Sequence, residues 1–296
     1  MVRKIVFIIG IILAIAVAVV VLLFSLLGVN LVQFSPFNVS VSVGNSPPTI
    51  EIVEFTNVGA VLGGVREVLI NFSASDLNGA ADLNDSSARV EIYNSSKGVA
   101  PGMRVNSTCS MTLSSVNTKN YTCTIGMWYF DPYSYYVVNA TIADNSDLKA
   151  ENSSAVFNYE FTPGPVIYPN NLGWDPIVVS DIDKKSTNDP LISNNTGNVN
   201  FSTLTMTAYD LPGVSSGFIY AGNFSVGTSD DCLGDVMANA TGLSIGGAGL
   251  PVGNLSIVGA AQEELYFCIK AINLDTPATT FSSSNTGGTS WEIDFS

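Results

Sequence analysis

Histidine is absent from all 296 residues, which removes the side chain most often used as a general base and as a metal ligand near neutral pH. Basic residues are scarce: 11 Lys and Arg stand against 25 Asp and Glu, for a formal net charge of −14. No patch of Lys or Arg exists beyond the first four residues, so the chain has no electrostatic footprint for an anionic lipid surface, and nucleic-acid binding is excluded. No Walker A loop occurs, and no G-x-G-x-x-G leads into a helix pattern. Gly213-Val214-Ser215-Ser216-Gly217 matches the G-x-S-x-G spacing of a nucleophile elbow, yet without histidine its serine has no base and the segment reads as a loop. We therefore expect no catalytic residue and no enzyme activity. One enzymatic class is left open, an extracellular hydrolase with two carboxylates about 5–9.5 Å apart in a cleft.

What the chain does have begins at its start. Ile5 to Val29 is an uninterrupted apolar run without a charge, and at about 1.5 Å per residue it is long enough to cross a hydrocarbon core of about 30 Å as one helix. Arg3 and Lys4 precede it and no acidic residue appears before Glu51, so the positive-inside bias puts the N-terminus in the cytoplasm and the rest outside the cell. The run exceeds the apolar core of about 7–15 residues in a cleaved secretory signal, and no Ala-x-Ala-like site follows it, which favours an uncleaved signal anchor. The implied organisation is a cytoplasmic N-terminus over 1–4, a transmembrane helix over 5–29 and an extended stalk over 30–47. Two β-sandwich domains follow, over 48–162 and 163–296.

The sandwiches are read from alternation. The region is rich in Ser, Thr, Asn, Val, Tyr and Phe and poor in Lys, Arg and Glu, so an all-β fold with almost no helix beyond the anchor is expected. Val68, Ile70, Phe72 and Ala74 share one strand face, as do Val90 and Ile92, then Tyr121, Cys123 and Ile125, and then Tyr136, Val138, Ala140 and Ile142. Cys109, Met111 and Leu113 predict another apolar face, and Ala155, Phe157, Tyr159 and Phe161 a last one. Pro163-Gly164-Pro165 marks a hinge. Beyond it, strands are expected at Leu204 to Ala208, Phe218 to Tyr220, Leu255 to Val258, Leu265 to Ile272 and Trp291 to Phe295, with a glycine-rich loop over Gly242 to Gly253.

Four cysteines form two local pairs, Cys109 with Cys123 and Cys232 with Cys268, one in each half. An even count behind an export signal predicts disulfides, and a thiolate metal site is disfavoured because no C-x2-C spacing is present. The Asn-x-Ser/Thr acceptor pattern recurs at Asn38, Asn71, Asn84, Asn94, Asn106, Asn120, Asn139, Asn152, Asn194, Asn200, Asn223, Asn239 and Asn254. With the exported topology, glycosylation of several of these is expected. Within Asp76 to Asp85, the residues Asp76, Asn78, Asp82 and Asp85 place oxygen ligands around a glycine turn, as a hard cation such as Ca²⁺ requires. An Asx-rich turn explains the same residues without a metal. Asp144, Asn145 and Asp147 would join such a site only if the fold brings their loop alongside.

Where Asn71-Phe72-Ser73-Ala74-Ser75-Asp76-Leu77-Asn78-Gly79 runs from a strand into an Asp/Asn-Gly turn, the chain resembles Ig-like, cadherin-like and fibronectin-type modules of prokaryotic surface proteins. Asp189 to Asn198 and Glu264 to Cys268 are similar to segments of membrane-anchored surface proteins of archaea. The resemblance implies sandwich folds at the cell surface and carries over no catalytic residue. An N-terminal anchor departs from surface-layer proteins held by a C-terminal helix. The expected function is a structural or adhesive surface protein, with membrane lipid around its helix, other surface proteins or glycans as partners, and self-association open. The rival is a filament subunit of the pilin kind with its helix in the filament core, although Lys4-Ile5 lacks the Gly or Ala usual at that family's processing site.

Overall fold

A computed structural model describes residues 2–28, 36–52, 57–95 and 104–296. The chain separates into two compact units, Met1–Gly44 and Asn45–Ser296. The first holds α1, Val2–Leu26, of 25 residues, about 37 Å at the standard helical rise. Its stretch Ile8–Leu26 has a mean hydropathy of 3.2 and is long and apolar enough to cross a membrane. Gly28 takes a left-handed φ of +62° just past the helix, as helix-ending glycines do. The last residue of the expected span, Val29, and the first part of the stalk lie outside the described residues. In 36–44 the backbone has no regular structure, and Phe37, Val39, Val41 and Val43 are exposed.

The second unit is all-β apart from two single 3₁₀ turns, among the described residues. Its N-terminal part is built from β1 (Thr49–Ile52), β2 (Val65–Ser75), β3 (Leu83–Asn94), β4 (Arg104–Asn106), β5 (Ser110–Ser114), β6 (Thr118–Trp128), β7 (Ser134–Asp144) and β8 (Lys149–Tyr159). They form two four-stranded antiparallel sheets, ordered β1-β2-β6-β5 and β4-β3-β7-β8. Strict alternation fixes the register, because a slip of one residue would turn every apolar side chain outward. Val68, Ile70, Phe72 and Ala74 thus meet Tyr121, Cys123, Ile125 and Met127 within the first sheet. Val90, Ile92, Tyr136, Val138, Ala140, Ile142, Phe157 and Tyr159 close the core from the second. Phe72 and Tyr121 stack with centroids 5.1 Å apart.

Two expected apolar positions do not hold. β5 is an edge strand that is solvent-exposed throughout, so Met111 and Leu113 are exposed and only Cys109, just before it, touches the core. Phe161 lies past the end of β8 and is exposed, in edge-to-face contact with Tyr133. Alternation reports a buried face only where a second layer covers it, and an edge or a strand end has no such layer.

The remainder of the unit has its own buried cluster, with Leu204, Met206, Ala208, Phe224, Val226, Leu250, Leu265, Phe267 and Ile269 at its centre. Its longest strand, Gln262–Ala271, pairs with Phe224–Gly227, Leu191–Asn195 and Ile182–Lys185, and Leu204–Ala208 pairs with Thr241–Ser244 and Glu292–Phe295. Trp291 packs edge-on against Phe224 at 4.9 Å. Leu255 to Val258, expected as a strand, is a run of exposed turns, because Leu255, Ile257 and Val258 have no facing layer. The glycine-rich 242–253 segment is not wholly loop, since Thr241–Ser244 supplies a strand at its start.

The Pro163-Gly164-Pro165 segment is pinned rather than free. Thr196 donates its backbone N–H (2.7 Å) and its hydroxyl (2.8 Å) to the Gly164 carbonyl, and Gly63 N–H donates to the Thr196 carbonyl at 2.8 Å. Asn198, 3 % exposed, donates N–H to the Thr162 carbonyl and Nδ2 to the Glu160 carbonyl, while its Oδ1 accepts from Thr162 N–H at 2.8 Å. Gly197 and Gly164 approach so closely that a Cβ on Gly197 would fall 2.2 Å from the Thr162 carbonyl oxygen. These contacts carry one compact unit across both cores.

Candidate functional site

The G-x-S-x-G segment is a hairpin tip, not an elbow. Gly213 N–H donates to the Gly217 carbonyl at 3.0 Å between the short strands Leu211–Pro212 and Phe218–Ile219, and no helix follows. Cys109 is bonded to Cys123, with Cα atoms 4.4 Å apart, and Cys232 to Cys268, 5.5 Å apart. The first bridge ties the chain ahead of the exposed edge strand onto buried β6; the second ties a surface turn to the long strand Gln262–Ala271.

The acidic turn is where charge gathers. One carboxylate oxygen each from Asp76, Asp82 and Asp144 lie within 4.8 Å of one another. Asp76 ends β2, Asp82 closes the 3₁₀ turn Ala80–Asp82, and Asp144 ends β7 opposite Leu83, the first residue of β3, so strand register brings the two loops together. Asn145 laces them, its N–H donating to the Asp82 carbonyl at 2.8 Å and its Nδ2 to the Ala81 carbonyl at 3.1 Å. Asp76 is 1 % and Asp144 0 % exposed. Burial pushes the Asp144 carboxyl up, but the Leu148 and Ser146 amides and the Asn45 side chain outweigh it and hold it below the usual carboxylate range. Asp76 Oδ1 accepts from Asn78 N–H at 2.7 Å, whereas its Oδ2 is buried with no hydrogen-bond partner.

Of the four residues expected around a cation, two converge here and two do not. Asp85 lies on the first part of β3, where its Oδ1 accepts from Tyr121 Oη at 2.6 Å and from Lys119 Nζ at 2.8 Å. Burial pushes the Asp85 carboxyl up, yet those two hydrogen bonds and the lysine charge bring it below its ordinary value; burial and the Asp85 charge drive the Tyr121 phenol far above its own. The Asn78 side chain instead accepts from Ser46 N–H at 2.8 Å. Asp144 takes the vacated role, and Asn45 donates Nδ2 to Asp144 Oδ2 at 2.7 Å. Asn45 had no sequence signal, being 99 residues from its partner.

The glycan acceptors divide by exposure. Asn38, Asn71, Asn200, Asn239 and Asn254 are exposed, and Asn84, Asn106, Asn120, Asn139, Asn152, Asn194 and Asn223 are half-buried. In three of the latter the amide nitrogen that would carry a sugar is already used: Asn106 on the Thr124 carbonyl, Asn139 on Glu151 and Asn152 on the Ile50 carbonyl, at 2.7, 2.7 and 2.8 Å. Asn94 is 5 % exposed, within the core side of β3, and offers no surface for a glycan.

No protein-family model and no curated protein matches the chain. Among solved structures it is similar to the IG1+IG2 crystal structure of DIP-gamma, at 14 % identity over 79 % of this chain and 94 % of that one, with a TM-score of 0.23. It is also similar to a chaperone–tip adhesin complex of CFA/I fimbriae biogenesis, at 9 % identity over 84 % and 91 %, with a TM-score of 0.29. Superpositions this loose assign neither family nor function.

Proposed function

We propose that the chain is a single-pass surface protein, held in the membrane by α1 and displaying an extracellular two-sandwich body that acts through contacts and attached glycans rather than through catalysis. The observation that carries this reading is the pairing of a helix able to span a membrane with a disulfide-bonded, acidic, all-β unit. Asn38, Asn71, Asn200, Asn239 and Asn254 are the glycan sites it favours, since each is exposed. Its partners are membrane lipid around α1 and other surface proteins or glycans around the body.

Protease added to intact cells is expected to remove the body and leave a fragment containing α1 in the membrane fraction. Release of the intact body without protease would show that the helix is a cleaved signal. A filament-subunit reading has one observation in its favour: Phe37, Val39, Val41 and Val43 extend exposed apolar surface beyond α1, where a neighbouring copy would cover it. Electron microscopy of the native protein separates filaments from detergent-held single chains.

A further inference from the structure

We propose that Asp76, Asp82 and Asp144 form a Ca²⁺ site that fastens the Asn45–Pro48 entry of the chain to the first sandwich. Three carboxylate oxygens within 4.8 Å repel one another, and among the described residues no Lys or Arg pairs with any of the three. Every other carboxylate cluster of the fold has its counter-charge or lies open to water; this one has two members buried. The spread suits one ion, because two oxygens that both bind Ca²⁺ at about 2.4 Å lie at most about 4.8 Å apart. The buried and partnerless Asp76 Oδ2 is the independent sign of a missing ligand, since a buried charged oxygen without a partner costs more than one that is satisfied.

The ligands come from two loops, after β2 and after β7, and the entry segment is bonded to both. Asn45 reaches Asp144 in the second, and Ser46 N–H reaches Asn78 in the first. Neutralising the carboxylates therefore tightens three separate pieces of chain at once. Without the ion, their mutual repulsion works against the Asn45–Asp144 contact and the Asn145 lacing. This inference goes beyond surface display and stands or falls separately from it, because it concerns ion binding and not topology.

The test uses the full chain in detergent, stripped of divalent ions with a chelator and titrated with CaCl₂ by calorimetry and by thermal melting. One Ca²⁺ per chain is expected, with a melting temperature raised by about 2–4 °C at saturation. Asp76→Asn and Asp144→Asn should each weaken binding by more than about tenfold, while Asp85→Asn, whose carboxylate serves Lys119 and Tyr121, should leave binding unchanged. If either of the first two variants fails to fold, Asp82→Asn, at a half-buried position, takes its place with the same expected loss. No binding by the native chain at millimolar Ca²⁺ overturns the proposal, as does binding that survives the loss of these carboxylates.

Discussion

Asp189 shows how one side chain can set a pH dependence. Its Oδ2 accepts from Phe267 N–H at 3.0 Å, while Oδ1 is buried without a partner. Burial, with the Asp230 charge adding to it, pushes the carboxyl up to about 6 against the pull of the Phe267 and Ser186 amides and Lys185. A folded-state value raised above the unfolded one means that the contribution to stability is whole below about pH 4 and is lost as the pH rises through about 6. Asp189→Asn should remove that loss, so its melting temperature should gain on the native chain between about pH 4 and 7. A constant difference across that range would show that the carboxyl titrates normally. At this scale the sequence was only partly legible. It marked Asp76 and Asp82 through their spacing around Gly79, but it also marked Asp85, whose partners Lys119 and Tyr121 sit on a strand more than thirty residues away. Chemistry that depends on a distant strand leaves no local trace, and Asn45 left none at all.

Elements were more legible where both faces of a strand meet different surroundings. β2, β3, β6 and β7 alternate between a packed core and solvent, so their period of two could be read directly, together with the inward side of each. β5 had the same pattern and failed, because an edge strand without a covering layer has no inside. What holds the chain to the core at that edge is the Cys109–Cys123 bridge, which closes a loop of 14 residues. Replacing both cysteines with serine should lower stability by about 3 kcal/mol, read as a shift of the denaturant midpoint without a change of slope. The chain between the bridge and β6 should become the first to exchange its amide hydrogens. An unchanged midpoint would mean that hydrogen bonding of β5 to β6 suffices by itself.

Across the whole molecule, the division into an apolar helix and an all-β remainder followed from composition, but the joint between the two buried cores did not. Proline and glycine announce a break in secondary structure without saying what packs on it. Here the turn at Asn195–Asn198 packs on it, and Gly197 is required for reasons of space. Gly197→Ala should cost about 1–3 kcal/mol and loosen the joint, so that limited proteolysis cuts near Pro163 while both disulfides persist. A variant as stable and as resistant as the native chain would show that the backbone can shift to admit a methyl group.

That joint also bears on heredity. A Pro-Gly-Pro seam between two sandwiches looks like a place where surface proteins exchange modules by recombination, yet here the last carbonyls of the first sandwich, at Glu160 and Thr162, take their donors from Asn198 of the second. A foreign second module would arrive without those donors and without a glycine to fit beside Gly164. Chimeras joined at 163 should therefore be poorer than chimeras that carry 160–198 as one cassette, and the two halves are expected to travel through evolution as a pair.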